Sequence, residues 1–177
     1  MADFTEHQLA SESVFSGRLL DVRRDKVRLP DGREAVREYV VHSGAVMVLP
    51  LFDDGGILIE RQYRYAQRRH FYELPAGKIE DGEEDLATAK RELLEETGYI
   101  AQSWRHLLTM YPCVAYSTER IELYLARELS FLGPAGEDGE FLETLILPRT
   151  EAWQWLREGK ISDAKTIAAL LWLKNLE

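Results

Sequence analysis

The sequence predicts an α/β protein: a mixed central sheet between helical layers, preceded by a small β subdomain. Three patterns carry this expectation. Short apolar or alternating segments recur from Leu20 to Leu74 and again from Trp104 to Leu147. One amphipathic helical stretch near 84–97 interrupts them, and two more helical stretches close the chain. Strands broken by a central helix and ended by further helices suit a sheet covered on both faces.

Residues 12–42 read as the N-terminal β element. Leu20, Val22, Val27 and Leu29 alternate ahead of a turn at Pro30-Asp31-Gly32, and Val36, Tyr39 and Val41 follow as another strand. Gly44 to Leu51, GAVMVLPL, is the continuous apolar run of a buried strand. Asp53-Asp54-Gly55-Gly56 turns the chain into a strand from Ile57 to Tyr63. A short strand, Phe71 to Leu74, leads into a loop at Pro75-Ala76-Gly77. The central helix is expected over Glu84 to Thr97, with Gly98 as its C-terminal cap. Trp104 to Tyr111 and Ile121 to Ala126 read as strands, Gly133 to Glu140 as a Gly- and acid-rich loop, and Leu142 to Leu147 as one more strand. The closing helices are expected near Thr150 to Glu158 and Asp163 to Leu176, with Asp163 suited to an N-cap. Trp153, Trp155 and Trp172 read as core or interface anchors. The chain divides into an N-terminal β subdomain, 1–42, and a main domain, 43–177.

Composition bounds the function. A formal net charge of −9 over 177 residues argues against nucleic acid or an anionic membrane as partner. No apolar run approaches the length of a membrane span. The start of the chain lacks the basic end and apolar centre of a signal peptide. A single cysteine, Cys113, excludes an intramolecular disulfide and fits a reducing, cytoplasmic setting. Its expected place is in the core, as a small apolar residue. An anionic substrate would need local neutralisation by a metal and by arginines.

The most informative stretch is Gly77 to Tyr99, GKIEDGEEDLATAKRELLEETGY. It gathers Glu83, Glu92, Glu95 and Glu96 around one short helix. A helix turns roughly 100° per residue, so Glu95 and Glu96 lie about 60° to one side and 40° to the other of Glu92. Like charges so spaced repel. Arg91 can offset this for Glu95 but not for the whole set. Hard divalent cations such as Mg²⁺ take oxygen ligands of this kind. The plain alternative is a solvated acidic face. Against it stand an opposite arc of Leu86, Ala87, Leu93 and Leu94, interrupted by Lys90 with a packed stem, and glycines at 77, 82 and 98 that bracket the helix. A glycine-containing loop can bring backbone close to a phosphate or metal.

These residues resemble the signature of the Nudix hydrolases: glycine, five residues, glutamate, seven residues, then Arg-Glu-aliphatic-any-Glu-Glu-any-Gly-aliphatic. Here they are Gly77, Glu83, Arg91, Glu92, Leu93, Glu95, Glu96 and Gly98, with Tyr99 as a departure in the last aliphatic slot. The resemblance implies an α/β/α sandwich with the signature as loop–helix–loop, and hydrolysis of a diphosphate linkage with Mg²⁺, or Mn²⁺ in its place. It assigns metal binding to Glu92 and Glu96 with Glu95 assisting, and to the Ala76 carbonyl. Glu83 then orients the site, and Arg91 holds carboxylates in place. The general base is expected in the acidic loop after the signature, at Glu140, with Asp138 and Glu137 next.

Other segments are similar to the ADP-ribose and nucleoside-diphosphate-sugar branch. In RQYRY (Arg61 to Tyr65), Arg64 matches an arginine on the substrate diphosphate. Arg37 and Glu38 match residues near the adenine and terminal ribose. ELPAGKIE and GKISDAKT also look like that branch, and its N-terminal β subdomain builds a homodimer. The branch often carries Ser-Pro-Gly-aromatic-Ser-Asp-Glu after the signature. This chain has Cys113-Val114-Ala115-Tyr116-Ser117-Thr118-Glu119, so Val114 and Ala115 depart from it. The expected reaction is hydrolysis of ADP-ribose to AMP and ribose 5-phosphate. GDP-mannose, another sugar nucleotide or a dinucleotide is the alternative substrate. A non-catalytic nucleotide-sugar sensor fits less well, because every signature glutamate is present.

Overall fold

A computed structural model describes residues 1–133 and 141–176. The chain forms two compact units: Met1–Gly44 with Tyr111–Arg120, and Ala45–Met110 with Ile121–Glu177.

The first unit is built on an antiparallel meander of β1 (His7–Ser16), β2 (Asp21–Arg28) and β3 (Glu34–Val41). The β2–β3 turn closes with the Gly32 amide donating to the Leu29 carbonyl at 2.9 Å, and Gly32 takes φ +88°, which glycine adopts without strain. The β structure starts five residues before the expected position 12. β1 shifts register between Gln8 and Ala10 and between Ser13 and Phe15, and such bulges erase the period-two signal. All ten β1 residues are exposed. The segment Tyr111–Arg120 adds to the end of β3: the Val40 amide donates to Tyr116 at 2.9 Å, and the Thr118 amide to Val40 at 3.0 Å. Cys113 lies in this segment, half-buried with its thiol donating to the Tyr116 hydroxyl, rather than in the core. The chain there is a surface turn, where a short polar-backbone segment has no apolar layer to enter.

The second unit holds two sheets. One, in the order β7-β4-β9-β8, joins β4 (Ala45–Pro50), β7 (Ala76–Lys78), β8 (Tyr99–Met110) and β9 (Ile121–Phe131). It is mixed: β4 and β9 run parallel, the other pairs antiparallel. The other, β10-β5-β6, is antiparallel and joins β5 (Gly56–Arg64), β6 (Arg69–Glu73) and β10 (Leu142–Pro148). Three helices follow their predicted places: α1 (Asp85–Thr97), α2 (Arg149–Arg157) and α3 (Ala164–Asn175).

Strand β4 shows why this unit is layered. Its residues alternate between two buried clusters. Val46 and Val48 pack with Ala89 and Leu93 of α1. Met47 and Leu49 pack with Trp155 of α2 and Ala169, Leu170 and Leu173 of α3. The apolar run GAVMVLPL is therefore continuous because both faces are covered.

The structure corrects three local expectations. The loop after Pro75 is a strand, β7, with Gly77 opposite Val46. β8 starts at Tyr99 rather than Trp104, because the left-handed Gly98 (φ +73°) ends α1 and sends the chain directly into pairing with Phe131. The buried stripe of α1 is Thr88, Ala89, Leu93 and Thr97. Ala87, Lys90 and Leu94 face outward, so the apolar side is rotated from the arc expected at Leu86, Ala87, Leu93 and Leu94.

Candidate active site

Five successive residues, Glu73 to Gly77, each make an anchoring contact, and together they position the site. Glu73 ends β6 and is buried. The Leu74 amide donates to Thr166 Oγ1 at 3.0 Å. The Pro75 carbonyl accepts from the Val48 amide at 2.8 Å. The Ala76 amide donates to Glu96 Oε2 at 3.0 Å. Gly77 lies against Glu92: a β-carbon there would run into the Glu92 carboxylate. Gly77 is not at positive φ, so glycine is required for this close approach and not for backbone freedom.

Helix α1 supplies the facing carboxylates. Arg91 donates through Nε and Nη2 to Glu83, both at 3.0 Å, and through Nη1 to Glu92 at 2.8 Å and Glu95 at 2.9 Å. Arg91 thus reaches three of the four glutamates, beyond the Glu95 contact that helical spacing gave it but still short of the whole set. Glu83 precedes the helix, and the turn at Gly82 (φ +81°) brings it back over Arg91. The Arg91 pairing, then a hydrogen bond from Thr88, holds the Glu83 carboxyl at about 2. Arg91 in turn is raised above the ordinary arginine range, first by Glu83.

Four glutamates against one arginine leave a formal excess of three negative charges, from 4 − 1. Among the described residues no three acidic, histidine or cysteine side chains already stand as a closed metal cluster; Arg91 spans three of the carboxylates. The donor set nonetheless fits a hard divalent cation. The Ala76-Gly77 backbone lies against both Glu92 and Glu96, and the side-chain donors they offer are all oxygen.

Arg64, at the end of β5, makes a bidentate pair with Glu73, Nε to Oε1 at 2.7 Å and Nη2 to Oε2 at 2.9 Å. Burial pushes Glu73 up, but Arg64 and Lys165 outweigh it and hold its carboxyl at about 2. Arg64 is raised, first by Glu73, with a smaller contribution from Glu96 of α1. Arg37 and Glu38 belong to the first unit, where Arg37 pairs with Glu6 and Glu38 with Arg24. Glu137, Asp138 and Glu140 lie outside the described residues.

Glu73 and Lys165 escaped the sequence reading as site residues. Glu73 reads as part of a short strand, and both residues lie in the branch-like stretches ELPAGKIE and GKISDAKT without being singled out. The available signal was a buried-strand context for a glutamate, Phe71-Tyr72-Glu73-Leu74-Pro75, which needs a cation elsewhere in the chain.

Comparison with known proteins shows the family. Residues 41–170 match the model of the NUDIX domain, and residues 6–40 match the nucleoside diphosphate sugar hydrolase N-terminal domain. An ADP-ribose pyrophosphatase of Bacillus subtilis (strain 168) is 38% identical over 100% of this chain and 97% of its own length. A methanol dehydrogenase activator of Bacillus methanolicus is 37% identical over 98% of this chain and 95% of its own. The crystal structure of an ADP compounds hydrolase shares the fold, with a TM-score of 0.88 at 23% identity over 99% of this chain and 96% of that one. Among the described residues no helix is long and apolar enough to cross a membrane. With the signature helix, its glycine cradle and these full-length likenesses, the chain belongs to the Nudix hydrolase family.

Proposed function

We propose that the protein hydrolyses the diphosphate linkage of ADP-ribose, consuming one water and releasing AMP and ribose 5-phosphate. The observation that carries this reading is the convergence of Glu92 and Glu96 on the Ala76-Gly77 backbone. It is supported by full-length likeness to the ADP-ribose pyrophosphatase of Bacillus subtilis and by the match to a nucleoside diphosphate sugar hydrolase N-terminal domain.

Glu92, Glu96 and the Ala76 carbonyl would hold the cation, with Glu95 assisting; Mg²⁺ is the expected ion, with Mn²⁺ able to replace it. When bound, such a cation neutralises diphosphate charge and lowers the pKa of bound water. Arg91 keeps Glu83, Glu92 and Glu95 from springing apart. Arg64 presents its outward N–H groups to a diphosphate oxygen. Water attacks one phosphorus, the bridging phosphorus–oxygen bond breaks, and the leaving phosphate takes the electron pair. A carboxylate accepts the proton from water, and Glu140 is assigned that part, with Asp138 next. Arg37 and Glu38 are assigned to the adenine and terminal ribose.

The N-terminal subdomain, 1–42, is proposed to build a homodimer in a cytoplasmic enzyme. Its support is the exposed apolar side chains of β1 to β3, among them Val14, Phe15, Val36 and Val41. A substrate panel with Mg²⁺, reading AMP, GMP and sugar phosphate, tests the reading. ADP-ribose should rank first by kcat/KM. A tenfold preference for a sugar nucleotide of another base would replace the substrate but keep the reaction. Light scattering tests the dimer, which a clean species of 20.4 kDa would contradict.

A further inference from the structure

Beyond the signature, Arg64 belongs to an ionic cluster of the second unit whose other members, Glu73, Lys165 and Asp163, have no part in the proposed reaction. Glu73 is its centre, with a side chain only 5% exposed. Arg64 grips it bidentately from the β5 end. Lys165 of α3 donates to Glu73 Oε2 from the other side and lies 3.0 Å from Asp163 Oδ2. Asp163 caps α3, accepting from the Thr166 amide at 2.9 Å and the Thr166 hydroxyl at 2.7 Å. That same hydroxyl accepts from the Leu74 amide. The first turn of α3 is thus bonded to Glu73 and Leu74, just ahead of Pro75, Ala76 and Gly77.

Lys165 is in an unfavourable place by local rules. A cation in the first turn faces the positive end of the helix dipole, and α3 has no acidic residue in that turn. Its side chain is 16% exposed. Apolar residues of similar volume would often stabilise such a site as well or better than a buried ion pair. What they could not provide is an oriented guanidinium. Glu73 takes one edge of Arg64, and the rest of the side chain, 45% exposed, faces outward. A pair made of Arg64 and Glu73 alone would carry no net charge toward an anion. With Lys165 the cluster of Arg64, Lys165, Glu73 and Asp163 is formally neutral; without it, one excess negative charge would stand beside Arg64 and oppose an anion.

We infer that Lys165 is a positioning residue: acting through Glu73, it holds Arg64 as a fixed grip for a diphosphate oxygen of the substrate. This rests on the diphosphate-hydrolase reading and extends it to a residue 92 positions from Glu73 in sequence. Preset geometry matters because freezing a long, mobile side chain on binding costs entropy that a prefixed one has already lost.

The test is a double-mutant cycle on the full chain: wild type, R64A, K165M and R64A/K165M. Each is measured for ADP-ribose hydrolysis and, separately, for inorganic pyrophosphate binding by calorimetry. R64A should weaken kcat/KM and pyrophosphate binding by about 10- to 100-fold, the span of one charge-assisted contact. K165M should lose about 5- to 10-fold in the Arg64 background, mostly in KM, and nothing further in the R64A background. K165R should recover most of that loss. Equal losses from K165M in both backgrounds, or a lowered melting temperature with unchanged KM and pyrophosphate affinity, would overturn the inference and leave Lys165 a structural residue. If K165M does not fold, K165Q keeps a hydrogen-bond donor to Glu73 without the charge and completes the same cycle. A wild type that ignores ADP-ribose defeats the substrate reading instead, and the pyrophosphate cycle still decides for or against Lys165.

Discussion

Replacing Glu73 by glutamine should cost this protein much of its stability at neutral pH, and less as the solution is acidified. Glutamine preserves the shape of the side chain but leaves Arg64 and Lys165 without their buried counter-charge. Two routes give the magnitude. The Glu73 carboxyl is held at about 2 against an ordinary 4.5; at 1.36 kcal/mol per pKa unit that is about 3 kcal/mol. Breaking a buried pair by removing one partner costs roughly 3–5 kcal/mol. Such a loss is a large part of a typical domain's stability of about 5–15 kcal/mol. The folded-state pKa is depressed, so the stabilisation is full above about 4.5 and is lost as pH falls toward about 2. Integrating the linkage between those limits leaves about half of it at pH 3. Urea unfolding of wild type and E73Q at pH 7 and pH 3 reads both numbers. A difference under about 0.5 kcal/mol at pH 7, the size of an ordinary surface substitution, or one that does not shrink with acid, would refute the reasoning.

Two further substitutions probe the signature. Gly77→Ala should lower kcat by about 100-fold with little change in melting temperature, because the added methyl displaces the Glu92 carboxylate without straining the backbone; wild-type turnover would contradict this. Arg91→Lys keeps the charge but loses the fork that spans Glu83, Glu92 and Glu95. It should lower kcat by about tenfold and raise the Mg²⁺ concentration needed for half-maximal rate, both read from a metal titration of product release.

How much of this was legible in the sequence depended on how local each feature is. The strand Ala45–Pro50, helix α1 and the cap at Gly98 are written in short-range patterns, and the structure places them within a residue or so of the reading. The clustering of Glu92, Glu95 and Glu96 also follows from helical spacing. Edges were less legible. β8 begins five residues early because its pairing with β9, far along the chain, extends it to Tyr99. β7 is three residues long and exists only because β4 offers it an edge. The outward rotation of Leu94 and Ala87 reflects which side of α1 β4 happens to meet. Least visible was the Glu73 cluster, whose members Arg64 and Lys165 come from different elements at 9 and 92 positions away. Only folding brings such charges together.

The most direct measurement is AMP release from ADP-ribose across an Mg²⁺ titration, for wild type and Glu96→Gln side by side. Wild-type turnover should rise with Mg²⁺ and stop in EDTA. The Glu96→Gln protein should remain folded and lose at least about 100-fold in kcat even at saturating Mg²⁺. A wild-type rate indifferent to EDTA, or a near-normal kcat for Glu96→Gln, would contradict cleavage by a cation held on helix α1.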